Sequence, residues 1–166
     1  MNLRSPIFIS YAHEDENYLN KILTHLEPLR MQDQVCAWSD KDLEPGSEWG
    51  RSISNSILNA QVFLLLISKH FLASDFIRKS ELPGLMSKVQ MSNRPIIPIL
   101  LSPCLYDLAI FKYPDAEIGP EKFELGAIQF FNDVNKPLSQ LNPGKQDIEF
   151  VKLVKKIYKI THPGTT

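Results

Sequence analysis

Cysteine is almost missing from this chain. Cys36 and Cys104 are the only two in 166 residues, and both sit among apolar neighbours. That excludes a disulfide scaffold and points to two buried thiols in a reducing cytosol. A surplus of either charge is missing too: 18 basic residues face 19 acidic ones, for a net charge of −1. No basic field is available to draw in nucleic acid or an anionic membrane. No apolar run approaches a membrane span, and the apolar part of MNLRSPIFISY is too short for a signal peptide. The phosphate-cradling loops G-x-x-x-x-G-K and G-x-G-x-x-G are absent. His13, His25, His70 and His162 are scattered without metal spacing, so no metal is expected. In Gly46-Ser47-Glu48-Trp49-Gly50 the serine stands one place too early for a nucleophile elbow.

What remains is an ordinary cytoplasmic, globular composition. Mean hydropathy is −0.15 and 43% of residues are hydrophobic, enough for one domain with a real core. The pattern along the chain is strand, helix, repeated. Ile7 to Tyr11 reads as a strand. Tyr18, Ile22 and Leu26, with Leu19 and Leu23 beside them, read as an amphipathic helix ending near Pro28. Gln34 to Trp38 reads as a second strand, followed by a long charged loop through Pro45 and Gly46. Trp49, Ile53, Ile57 and Ala60 stand at helical spacing. Ile96 to Leu101 reads as a fourth strand, and Pro98 within it argues for an edge or a bulge. Leu105 to Phe111 suggests a short helix, Tyr113 to Pro120 a loop, and Ala127 to Phe131 a fifth strand. Gln146 to Ile160 is a closing amphipathic helix, with Lys152, Lys155, Lys156 and Lys159 on a solvated face. Residues 1–161 form the expected domain, and His162 to Thr166 reads as the start of a linker to a further module. Alternating strands and helices imply a parallel sheet with right-handed crossovers.

The chain is organised around Val62 to Met86. Val62 to Ile67 is apolar without alternation, as a strand buried on both faces reads. Ser68 ends that run. Further on, Ser80 and Glu81 precede Pro83, which fits the first turn of a helix. Glu81 would then stand beyond the carboxyl end of a central strand, where open α/β sheets bind ligands. Read locally, the same glutamate also serves simply to support a helix dipole.

Four segments in order resemble a Toll/interleukin receptor (TIR) domain of the bacterial type. They are Ile7 to Tyr11, Trp38 through Leu43, Pro45, Gly46 and Trp49, then Val62 to Ser68, and Ser74-Asp75-Phe76 with Glu81-Leu82-Pro83. The resemblance implies a flavodoxin-like α/β sandwich: three layers, with a central parallel sheet of about five strands flanked by helices. It implies an NAD⁺ glycohydrolase, with NAD⁺ as substrate and no cofactor, acting as the effector of a bacterial antiphage defence. The alternative is a non-catalytic adaptor or host-mimicking module. In that family the acid matches Glu81 by position. Many members carry a tryptophan four residues earlier; here that place is Ile77, with Phe76 adjacent. Ser10, Tyr11, His13, Asp40, Trp49, Ser74 and Phe76 are the implied substrate-binding residues. Leu43, Glu44, Pro45 and Gly46 belong to the implied assembly loop, through which such domains contact one another and can extend into filaments. One carboxylate would suffice for this reaction. Nicotinamide leaves as a neutral molecule, so no general acid is needed, and a fixed anion stabilises positive charge developing on the ribose.

Overall fold

The run Val62–Ile67 is a strand, β3, and all of its residues are buried. It lies inside a four-stranded sheet in the computed structural model, which describes residues 5–39, 57–75, 77–78, 82, 89, 92–112 and 122–165. The other strands are β1 (Ser5–Ser10), β2 (Val35–Ser39) and β4 (Ile96–Leu100). Their order is β2-β1-β3-β4, and every pairing is parallel. Alternate side chains of β3 feed two separate cores. Val62, Leu64 and Leu66 join Ile7, Ile9 and Tyr11 on one face. Phe63, Leu65 and Ile67 join Phe8 and Ala12 on the other.

Helices close both faces. The first core is covered by α1 (Glu16–Met31), through Leu19, Ile22 and Leu26, and by α3 (Pro143–Thr161), through Phe150, Leu153 and Ile157. Between them, in chain order, lies α2 (Lys69–Ala73), whose Phe71 is fully buried in the second core. Ile57, Ala60, Ile77 and Leu82 cover that face as well. The result is the expected three-layer α/β sandwich. At the amino edge, the Arg94 guanidinium donates to the carbonyls of Leu58 and Ala60, tying the turn before β3 to the approach to β4. The asparagine opening α3, Asn142, accepts the Lys145 N–H at 2.9 Å, with Pro143 next, as helix starts require. The four lysines at 152, 155, 156 and 159 are exposed.

Several expectations are corrected in detail. α1 continues past Pro28 to Met31. A proline in the last turn removes one N–H donor, while Leu26 and the half-buried Leu29 still anchor the helix on the core. Leu105 to Phe111 is a 3-10 turn at Tyr106–Leu108 followed by a strand, β5 (Ile110–Lys112). That strand pairs antiparallel with β6 (Lys122–Glu124). Cys36 and Cys104 are free, and both are half-buried rather than sealed.

The fifth strand does not form. Ala127 to Phe131 leaves a 3-10 turn and runs irregularly along β4. Phe131 N–H donates to the Pro98 carbonyl at 2.8 Å. The Asn132 amide then imitates a strand: its Oδ1 accepts the Leu100 N–H at 2.8 Å and its Nδ2 donates to the Leu100 carbonyl at 2.9 Å. β4 is therefore the edge of the described sheet, and the missing N–H of Pro98 falls on its outer side, as its sequence predicts. Replacing the buried Asn132 with alanine leaves both Leu100 groups unsatisfied. Asn132→Ala is expected to lower unfolding free energy by about 1–3 kcal/mol, read as a shift in urea midpoint without a change in m-value.

Candidate functional site

The carboxyl edge of the sheet is where parallel strands hand over to loops, and here the hand-over residues are polar. Ser10 closes β1, Ser39 closes β2 and Ser68 follows β3. All three are buried. Ser10 lies between Phe8 and Ala12, so its side chain turns to the face of the second core. Its hydroxyl is sealed from solvent and has no hydrogen-bond partner among the described residues, which is uncommon for a native buried polar group.

The other expected site residues fall into different roles. The Tyr11 ring packs in the first core, on the opposite face from Ser10, and meets the His13 ring edge-on at 6.0 Å. His13 itself is exposed at the start of the 3-10 turn His13–Asp15. Ser74 works as a local cap: its Oγ accepts the Ile77 N–H at 3.3 Å and its carbonyl accepts the Arg78 N–H at 3.1 Å. Asp40, Leu43, Glu44, Pro45, Gly46, Trp49, Phe76 and Glu81 lie outside the described residues. The residues that follow the last two in the chain are described. Ile77 and Leu82 are buried in the second core beside Ala12, Ile67 and Phe71.

The sequence reading missed the link that ties this edge together. Asp15 is the N-cap residue of α1, yet its carboxylate makes no bond to that helix. Instead it accepts the Ser68 hydroxyl across 53 residues of chain. The same Ser68 Oγ accepts the Phe71 N–H at 3.1 Å and so caps α2. Asp15 reads from sequence as a capping acid and Ser68 as a strand terminator; no spacing rule joins them. Burial pushes the Asp15 carboxyl above its ordinary 3.8, against the Ser68 hydrogen bond and the nearby charges of His70 and Lys69. Burial also raises the Cys104 thiol and, with help from the Asp15 charge, the Tyr18 hydroxyl.

Two clefts among the described residues lie away from this edge. One, of about 330 Å³, flanks β2 between Glu27, Arg30 and Trp38. The other, of about 390 Å³, is lined by Leu29, Gln34 and Tyr158 at the amino end of β2. Neither contains an expected site residue. Among the described residues no cluster of histidine, cysteine and acids is placed to hold a metal ion, and no helix is long and apolar enough to cross a membrane.

The raised carboxyl of Asp15 has a signed consequence. Below pH 3.8 the group is protonated both folded and unfolded. As pH climbs, the unfolded chain ionises first, so the folded state holds the extra proton and loses relative stability until its own pKa is passed. The stability of wild type minus that of Asp15→Asn is therefore expected to fall as pH rises above 3.8. Urea titrations of both proteins across that window measure it; a difference that grows with pH contradicts the sign.

Comparison with known proteins agrees with this architecture. The family model for the TIR domain matches residues 7–131. An uncharacterized protein, y4lF, from Sinorhizobium fredii (strain NBRC 101917 / NGR234) is 30% identical over 105 residues, 63% of this chain and 32% of its own. The NAD(+) hydrolase TcpA of Theionarchaea archaeon (strain DG-70-1) is 30% identical over 97 residues, 56% of this chain and 27% of that protein. The match thus spans about a third or less of the length of these relatives. In fold, the chain is similar to the TIR domain of the Toll-related receptor TRR-2 from Hydra magnipapillata. That likeness has a TM-score of 0.57 at 20% identity, covering 94% of this chain and 98% of the other. With a parallel sheet of the right order, helices on both faces and a family match over most of its length, the chain belongs to the TIR domain family.

Proposed function

We propose that this domain cleaves NAD⁺ at the nicotinamide–ribose bond, with Glu81 as the carboxylate that stabilises the developing ribosyl cation. The observation that carries this reading is the burial of Ile77 and Leu82 in the second core. Ile77 and Leu82, which precede and follow Glu81 in the chain, lie on the sheet face towards which Ser10 turns, and open sheets of this kind take ligands at their carboxyl edge. The similarity to an NAD(+) hydrolase supports the same substrate.

The chemistry asks little else of the protein. As the C–N bond breaks, nicotinamide departs with the bonding pair and becomes neutral, and positive charge spreads over the ribose ring. An ionised Glu81 attracts that charge and accepts hydrogen bonds from the ribose hydroxyls. Water or a nucleophile from the substrate itself then takes the anomeric carbon. His13 stands at the rim, held against Tyr11. Ser74, which already accepts from Ile77, keeps an O–H able to donate. Asp40, Trp49 and Phe76 complete the proposed pocket, with Phe76 as the aromatic wall.

Glu81→Gln retains size and hydrogen-bonding capacity while removing the charge. Nicotinamide release by the variant is expected to drop at least about a hundredfold, with an unchanged melting temperature. Near wild-type turnover removes Glu81 from the chemistry. No turnover by concentrated wild-type protein leaves the interaction-module reading in its place.

Assembly is part of this proposal. The loop bearing Leu43, Glu44, Pro45 and Gly46 mixes charge with a small apolar tip, which suits reversible docking on a second copy. A loop state rarely visited by the lone domain would be selected by a neighbour. Initial rate per mole of protein should rise over a concentration series, and Leu43→Asp should flatten it while the monomer stays folded. A flat wild-type series with robust turnover at the dilute end identifies a self-sufficient monomer.

A further inference from the structure

From the geometry of the carboxyl edge we infer that Asp15 is a positioning residue. Through Ser68 it fixes the start of α2 and thereby the placement of Ser74 and Ile77, which precede the proposed acid in the chain. This rests on the NAD⁺-cleaving reading for its catalytic consequence, though not for its structural half.

The first observation is that Asp15 breaks a local rule. An aspartate at a helix start ordinarily accepts an N–H of the first turn, worth about 0.5–2 kcal/mol. Asp15 makes no such bond. Its own N–H goes to the Ala12 carbonyl at 2.8 Å, which holds the 3-10 turn, and its carboxylate is committed to Ser68. Both groups are nearly sealed, at 7% and 0% exposure. A buried carboxylate is costly to keep, so abandoning the cap in its favour calls for a compensating use.

The second observation is that the link continues. Ser68 Oγ caps Phe71 N–H, and the Ser68 carbonyl accepts Leu72 N–H at 3.1 Å. The Phe71 carbonyl accepts Ser74 N–H at 3.3 Å, and Ser74 in turn caps Ile77. Phe71, Ile77 and Leu82 are then seated in one core. A run of capping bonds thus leads from the β1–α1 turn to Ile77, and the core that seats Ile77 also seats Leu82.

The third consideration is why the link needs charge. A serine hydroxyl has one proton to donate and lone pairs to accept with. An ionised Asp15 forces Ser68 to donate towards it, which turns a lone pair onto Phe71 N–H. A neutral partner at that position can also donate to Ser68, so the orientation of the hydroxyl is no longer dictated. Charge-assisted bonds are also roughly twice as strong as neutral ones. Glu14, Lys69 and His70 act on Asp15 electrostatically from its own turn and from α2, and Cys104 and Tyr18 feel its charge.

The test uses Asp15→Asn, Ser68→Ala and the hydroxyl-keeping Ser68→Thr, each compared with wild type by amide hydrogen exchange and by steady-state kinetics with NAD⁺. Asp15→Asn and Ser68→Ala are expected to speed exchange of the amides of Phe71, Leu72, Ser74, Ile77 and Arg78 about tenfold, with α3 and β1 unaffected. In the same variants kcat is expected to fall about ten- to a hundredfold while the KM for NAD⁺ moves little, as for a misplaced reacting group. Ser68→Thr should restore both. Exchange that rises uniformly along the chain, or not at all, overturns the inference and leaves a plain stability role. So does faster local exchange with kcat intact. The exchange measurement needs no turnover. It is decided even where wild type releases no nicotinamide, an outcome that ends the NAD⁺ reading alone. Should one of Asp15→Asn and Ser68→Ala fail to fold, the other reads the same amides.

Discussion

Burial of β3 on both faces is the constraint on which this domain depends. A strand with no polar side chain cannot leave either face to water. Each face therefore needs its own layer of helix, and the two layers must be built from different parts of the chain. α1 and α3 supply one, while α2 with Ile57, Ile77 and Leu82 supplies the other. The parallel pairing follows from the same fact, since every crossover between neighbouring strands deposits covering structure on the sheet. Because β3 is dry to its last residue, the chain must meet its first polar obligation at Ser68.

That obligation shapes the functional edge. Where four strands end together, backbone and side-chain polar groups crowd into a space bounded by apolar residues. Interactions there are strong when satisfied and expensive when not. The Asp15–Ser68 bond is one answer, and it joins the layer above the sheet to the layer below. The unpartnered Ser10 hydroxyl is an obligation still open.

Much of this was legible from residue pattern alone. The bounds of β3 coincide with the apolar run, because nothing but double burial explains six such residues in sequence. Pro98 marked an edge because a missing N–H is tolerated only where no strand follows. Pro28 misled because a proline in a last turn costs little when leucines on either side hold the core. Ala127 to Phe131 misled differently. Its composition suits a strand, but the bonds a strand would make are made by the Asn132 amide, and periodicity carries no trace of that substitution. The Asp15–Ser68 link was illegible for a related reason: each residue has a sufficient local explanation. Ser74 accepts the Ile77 N–H, a local bond that the resemblance did not point to.

The arrangement at β4 bears on how copies of this domain can meet. An open strand edge offers a ladder of donors and acceptors to any passing segment, and so invites sheet-to-sheet growth. Here Pro98 has no donor to offer, its carbonyl is taken by Phe131, and Asn132 occupies both groups of Leu100. A foreign strand finds no foothold at those positions. Contact between copies on this flank is confined to side-chain surfaces, which can part again.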